Sequence, residues 1–329
     1  MKNKYINKLD LKQTQFAIEK LKEFFATELK RQLNLTRVSA PLFLTKESGL
    51  NDNLNGESAV SFMARGFDKE LEVVHSLAKW KRFALKKYNF LPWEGIYTDM
   101  NAIRREEDLD NTHSFYVDQW DWELIIEKQD RTLDTLKQIV FKIYQVLKDT
   151  ENDINNLYPQ LSKKLVNNIH FISSYDLYQL YPNLTANERE NEIAKKYKSV
   201  FIYQIGDILP DQKPHSARAK DYDDWNLNGD LIVWDEINQH ALELSSMGIR
   251  VDRDALIRQY NLKPEEIQKN SPFHKQLIDN ELPFTIGGGI GQSRISMFLL
   301  EKRHIGEVQV SVWDENNSKM AQDENFTLL

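Results

Sequence analysis

Residues 286–294 read Ile-Gly-Gly-Gly-Ile-Gly-Gln-Ser-Arg, an apolar residue leading through glycines into a polar run. Gly287, Gly288, Gly289 and Gly291 are four of only 12 glycines in a chain of 329 residues. That concentration implies unusual backbone: a strand that ends in glycines and opens a helix running to Leu300. Such a junction exposes backbone N–H groups to a phosphate or ribose, and Arg294, in the first helical turn, offers a guanidinium for bidentate phosphate binding. The Gly-Lys-Ser/Thr ending of a P-loop is missing, as is the spacing of a dinucleotide fingerprint. A glycine turn serving tight helix–sheet packing is the other reading.

The segments upstream decide what sheet this stretch belongs to. Residues 231–234 and 241–251 read as an antiparallel pair joined across 235–239, which brings Asp230 and Glu243 near each other. Paired carboxylates there suit Mg²⁺, and exposed hairpin acids are the equal alternative. Two further strands, 96–103 and 114–126, flank a charged loop at 104–112. With period two, Val117, Gln119, Asp121 and Glu123 share one face, and Asp118, Trp120 and Trp122 the other. Acids on one sheet face are costly to bury unless a cation, a substrate amino group or Mg²⁺ meets them; otherwise they face solvent with the tryptophans in the core.

Helical spacing marks 14–29 (Ala17, Leu21, Phe24, Phe25, Leu29) and 133–147 (Leu133, Leu136, Val140, Ile143, Leu147). Thr185 to Glu188 forms a capping box. Residues 35–44, with Pro41, are extended. Residues 72–75 are a short strand, and Ser76 is placed to cap a helix through Lys87. Ser76, Lys79 and Lys81 thus gather near a helix start, suited to holding a carboxylate. Residues 200–205 are a buried strand, followed by a polar loop over 206–229. That loop carries Arg218 and Asp221-Tyr-Asp-Asp224, either as a lid or as solvated acids. Hairpin-paired strands with separate helices predict an α+β fold with a mainly antiparallel sheet flanked by helices.

Composition excludes several chemistries. Cysteine is absent, which removes disulfides, thiolate nucleophiles, iron–sulfur clusters and cysteine-ligated zinc. Net charge is −7, so no global basic field attracts nucleic acid or anionic membrane. Neither a signal-peptide h-region nor an apolar run of roughly 20 residues is found, and the cytoplasm is the expected compartment. The histidines show no metal-ligand spacing. Length alone suggests about two domains at roughly 150 residues each.

Taken in order, the segments resemble the three signature motifs of class II aminoacyl-tRNA synthetases. The helix before 35–44 with Pro41 matches the first. Ile103-Arg104-Arg105-Glu106, with the strand ending in Glu123, matches the second, and Gly289-Ile-Gly291-Gln-Ser-Arg294 the third. Within that class the chain is most similar to the ammonia-dependent aspartate–ammonia ligases, the asparagine synthetase A family. The resemblance is carried by "HSLAKWKR" (75–82), "YVDQWDWE" (116–123), "DYDDW" (221–225), "LNGD" (227–230), "ELSSMGIRV" (243–251) and "IGGGIGQSR" (286–294). It covers about residues 5–313.

The resemblance implies one class II synthetase-like catalytic domain over 1–329, revising the length-based count, and no anticodon-binding domain. The implied reaction begins when the β-carboxylate of aspartate attacks the α-phosphorus of ATP. Ammonia then displaces AMP from β-aspartyl-AMP. By the same resemblance Arg104 bridges carboxylate and α-phosphate, and Arg294 holds the γ-phosphate. Asp230 and Glu243 place Mg²⁺, and Gly289 and Gly291 lie against ATP. Ser76 and Lys81 meet an aspartate carboxylate, Gln119 and Asp121 the α-amino group, with Asp223 and Ser246 as further contacts. Asp52 matches an acid that holds or deprotonates ammonium. Val117 stands where the family has an adenine-stacking phenylalanine, which makes Phe115 the stacking candidate.

A homodimer through the first motif is implied, with neither nucleic acid nor membrane as partner. One rival is a truncated aspartyl- or asparaginyl-tRNA synthetase relative charging another acceptor; the negative charge and missing anticodon domain weigh against it. Another is an inert AMP- or asparagine-binding module, which would have lost Arg104, Arg294 or the Asp230/Glu243 pair. All four are present. Without cysteine for glutamine hydrolysis, free ammonia is the expected nitrogen source.

Overall fold

The computed structural model describes residues 5–52 and 56–329. Residues 53–55, within the "LNDNLNG" stretch that carries Asp52, lie outside the described residues. In chain order the strands are β1 (Leu35–Arg37), β2 (Phe43–Thr45), β3 (Ser61–Met63), β4 (Glu70–Val73), β5 (Gly95–Ile103) and β6 (Tyr116–Ile125). There follow β7 (His170–Ser173), β8 (Ser199–Tyr203), β9 (Asp223–Asp235), β10 (His240–Arg250) and β11 (Thr285–Gly291). The first helices are α1 (Leu11–Leu33), α2 (Ala78–Lys87), α3 (Leu133–Leu157), α4 (Ser174–Leu180) and α5 (Ala186–Tyr197). The later ones are α6 (Arg253–Tyr260), α7 (Pro264–Ile267), α8 (Pro272–Ile278), α9 (Gln292–Leu299) and α10 (Glu315–Glu324).

Eight strands form one sheet in the order β1-β5-β6-β11-β10-β9-β8-β7, and β2, β4 and β3 form a small second sheet. From β5 across to β8 every pairing is antiparallel; only the two edges, β1 on β5 and β7 on β8, are parallel. The α+β expectation with a mainly antiparallel sheet is met. One face is buried because the sequence puts apolar residues at helical spacing opposite strand residues of period two. Leu21, Phe25 and Leu29 of α1 and Leu136, Val140 and Ile143 of α3 pack with Trp120 and Trp122 of β6. Phe25 stacks on Trp120 with ring centroids 4.2 Å apart. The expected capping box of Thr185 and Glu188 opens α5, and Asp10 with Gln13 forms another at the start of α1.

The opposite face is covered only at its flanks. Leu77, Trp80 and Leu85 of α2 lie over Ile96, Met100 and Ala102 of β5, while Ile193 and Ala194 of α5 pack with Val200 and Ile202 of β8. Between them the centre of the sheet stays open as a cleft.

Two differences of boundary bear on the site. The polar loop ends at 222, because β9 begins at Asp223 and its acids are paired rather than solvated. The N-cap of α2 is Leu77, not Ser76, although the Ser76 hydroxyl still accepts from the Ala78 N–H at 3.2 Å.

The larger difference concerns the glycines. Gly287, Gly288 and Gly289 lie inside the strand, paired with β10 on one side and β6 on the other, while Gly291 ends the strand and is the N-cap of α9, as expected; none of the four has positive φ. The reason for glycine is space. A Cβ at Gly287 would strike the Glu123 carboxylate, and one at Gly289 the Gln119 amide.

Candidate active site

The cleft, about 300 Å³, has those glycines as part of its floor. Alternation along β6 puts Gln119, Asp121 and Glu123 on one face; Gln119 and Asp121 line the cleft, Glu123 is fully buried beside them, and β10 contributes Ser246 and Arg250. The acids meet cations of the protein itself. Arg250 clamps Glu123 through Nε (3.0 Å to Oε1) and Nη2 (2.8 Å to Oε2), and its Nη1 lies 2.5 Å from Asp223 Oδ1. Burial alone would push the Glu123 carboxyl up, but Arg250 and Lys81 outweigh it and hold it below its ordinary value. Asp223 moves the other way, because burial prevails over Arg250 and Arg218.

Lys81, fully buried, is ion-paired with Asp121, donates to the Trp122 carbonyl at 2.8 Å, and lies 3.5 Å from Glu123. Its first duty is thus to hold Asp121; to reach a substrate carboxylate it must exchange one of these contacts. Asp121 keeps one oxygen unused. Its Oδ2 is buried without a hydrogen-bond partner, and burial raises the carboxyl above its ordinary value against the pull of Lys81. Across the cleft Arg104 presents the converse: its Nε is buried and unpartnered, and its Nη1 stands 3.8 Å from Glu107, longer than a hydrogen bond. A buried acceptor and a half-buried guanidinium whose Nε is buried and unpartnered suit a guest carrying an ammonium group and an anion.

Ser76, Gln119, Asp223 and Ser246 also line the cleft, as do Glu243, Gly289, Gly291 and Arg294. Arg294 donates to the Glu243 carbonyl at 3.0 Å, which turns its guanidinium along the wall. Asp230, Asp52 and Phe115 are not in the lining. Asp230 and Glu243 are not opposite each other: Asp230 pairs with Ser246 and Glu243 with Ile232, beside a bulge at 243–245. Asp230 lies one layer down, ion-paired with Arg218, and burial pushes its carboxyl to about 7, with Glu243 adding repulsion and Arg218 opposing. Phe115 precedes β6 and accepts the Arg104 N–H at 2.8 Å through its carbonyl; the rings that line the cleft are His113, Tyr116 and Tyr222. Phe115 is not among them.

Asp52 sits in an adjoining cavity with Lys79, which is 3.3 Å from Asp52 and 2.6 Å from Asp221. The cations grouped at the start of α2 do hold carboxylates, but ones belonging to the protein. Arg218 and Arg250 carry more of the site than their sequence context revealed. Arg250 was legible as the next cleft-facing residue after Ser246 and Gly248 on β10. Arg218, in a loop, had no periodic signal.

Comparison with known proteins follows the same line. A family model described as aspartate-ammonia ligase matches residues 12–325. A protein named aspartate–ammonia ligase from Ruminiclostridium cellulolyticum is 55% identical over 327 residues, covering 99% of this chain and 97% of that one. Another of that name, from Fusobacterium nucleatum, is 52% identical over 99% of both chains. Among solved structures, asparaginyl-tRNA synthetase of Entamoeba histolytica in complex with asparaginyl-adenylate aligns with TM-score 0.62 at 15% identity. It covers 91% of this chain, which spans 66% of that synthetase. The Pyrococcus horikoshii enzyme with asparaginyl-adenylate gives TM-score 0.61 at 14% identity. At such identity these neighbours establish the fold, a class II synthetase catalytic architecture. Sequence and fold together place this chain in the aspartate–ammonia ligase family.

Proposed function

We propose that the cleft activates aspartate with ATP and amidates the product with ammonia, giving asparagine, AMP and pyrophosphate. The reaction is that of the family; the residue roles are our reading. The observation that carries it is the pair of buried atoms without hydrogen-bond partners, Asp121 Oδ2 and Arg104 Nε, on oppositely charged residues that line one cleft. Asp121, steadied by Lys81, receives the α-amino group, with Gln119 beside it. Ser76, Asp223 and Ser246 complete the aspartate pocket. Arg104 draws the β-carboxylate and the α-phosphate together and offsets the charge that builds as the new P–O bond forms. Arg294 holds the γ-phosphate so that pyrophosphate leaves in line. Ammonia then attacks the β-carbonyl carbon, its proton passing to a carboxylate for which Asp52 is the candidate, and the bond to AMP breaks.

The donor set fits a hard cation: Asp230 and Glu243 repel each other, and each offers only oxygen. They would hold Mg²⁺, which when bound supplies charge neutralisation for the phosphates. Asp230 must first be released from Arg218. We further propose a single catalytic domain, a cytoplasmic location, and a homodimer through the first-motif segment. The dimer is supported by Leu42 and Phe43, exposed beside Phe62 and Met63 of the small sheet. Ammonia, not tRNA, is the proposed acceptor. Among the described residues no helix is long and apolar enough to cross a membrane.

The test is aspartate-dependent exchange of pyrophosphate into ATP without ammonium, followed by release of AMP and asparagine when ammonium is added. Formation of ADP, or a requirement for tRNA, would contradict the proposal.

A further inference from the structure

A second cavity, about 370 Å³, adjoins the cleft and is lined by Asn51, Asp52, Glu57 and Glu72, with Lys46 and Arg105. Its charges are sorted by depth. Lys46 and Arg105 are exposed, Glu57 and Glu72 are half-buried, and Asp52 is 1% exposed. Lys46 is engaged by Glu70 at 3.2 Å and lies farther, 4.0 Å, from Glu72. Neither oxygen of Asp52 has a hydrogen-bond partner, and the nearby Lys79 lies closer to Asp221 than to it. Asp52 thus shares its one cation, Lys79, with Asp221, and at the inner end of the cavity both its oxygens remain open to a further hydrogen-bond donor.

The cavity meets the cleft at Glu57, which lines both. Behind that wall His75 is fully buried, and both its ring nitrogens lack partners. Burial lowers its pKa below the ordinary value, so it adds no positive charge at neutral pH to repel a cation. The Asn51 side chain orders this corner, accepting the His75 backbone N–H at 3.0 Å and donating to Glu72 at 3.3 Å. With aspartate and ATP in the cleft, a nucleophile must reach the β-carbonyl from another side, and both of those substrates are anions that this acidic wall repels.

We propose that this cavity is the port through which ammonium, as a charged ion, reaches the cleft, drawn by Glu72 and Glu57 and received at Asp52. The inference rests on reading the cleft as the aspartate-activating site. The test uses the full chain as Glu72→Gln, which keeps an acceptor for Asn51, and as Ala59→Lys. The second adds a cation to the cavity wall and removes no side-chain hydrogen bond. Three quantities are measured: aspartate-dependent ATP–pyrophosphate exchange without ammonium, KM for ammonium, and KM for hydroxylamine, a nucleophile that is uncharged at neutral pH. The expected result is a rise in ammonium KM of about 5-fold or more in both variants, with exchange and hydroxylamine KM within about 2-fold of the parent. An unchanged ammonium KM overturns the port. So does an equal rise for ammonium and hydroxylamine, or a loss of exchange in parallel. Absence of exchange in the unmodified chain would instead refute the reading of the cleft.

Discussion

Asp121 and Arg104 each leave one polar atom unsatisfied where water is scarce, and the cost of that arrangement is recovered only when substrate arrives. Replacing Asp121→Asn removes the charge that meets the amino group, so kcat/KM for aspartate should fall by about 10- to 100-fold, the worth of a charged hydrogen bond. Steady-state kinetics in aspartate checks it, and a parent-like value would remove Asp121 from the pocket. Arg104→Ala should cut pyrophosphate exchange by about 10²-fold or more while circular dichroism stays unchanged. Asp52 carries a pH prediction. Burial pushes its carboxyl to about 6, against Lys79, whose charge is shared with Asp221; Tyr222 and His274 stand near the same cluster. Below that pH the carboxyl is neutral and has no charge to hold ammonium. The ratio kcat/KM for ammonium should therefore drop as pH falls through about 6, and Asp52→Asn should be low and flat across that range. A descending limb that survives in Asp52→Asn would assign the titration elsewhere.

At the scale of elements, the strand β11 shows what a sequence does and does not disclose. Its glycines announced themselves by density, and Arg294 was rightly placed in the first turn of α9. The reason for glycine was not legible, because it depends on β6 lying alongside and aiming Glu123 and Gln119 across it. Gly289→Ala should accordingly leave the strand's backbone unstrained while displacing Gln119. We expect a rise in aspartate KM and a stability loss of about 1–3 kcal/mol, the usual cost of overpacking, read by kinetics and thermal melts. The period-two reading of β6 transferred whole, since alternation is local. The acids of 221–224 were harder: Asp221, Asp223 and Asp224 look like one solvated run. Their partners Lys79, Arg250, Arg131 and Arg258 come from four distant segments, which one sequence cannot pair.

The whole molecule is a sheet with one face sealed by α1 and α3 and the other left open for chemistry. Its fold class could be read because helical and strand periods are local and the motifs follow one another in a family's order; the strand order of the sheet could not. What escaped were contacts closed by loops: Arg218 over Asp230, and the separation of Asp52 from the cleft. The apolar residues left exposed at 42–43 and 62–63 belong to this scale too. Multi-angle light scattering should report a dimer at micromolar concentration, and Phe43→Lys with Met63→Lys should shift it toward monomer; a monomeric parent would refute the dimer. The central claim is that the β-carboxylate of aspartate becomes bonded to the α-phosphorus. Turnover of aspartate labelled with ¹⁸O in the β-carboxylate, followed by mass spectrometry of the AMP, reads that bond directly. One ¹⁸O atom transferred to AMP from fully labelled carboxylate is the predicted result. Unlabelled AMP, or label in pyrophosphate, would contradict it.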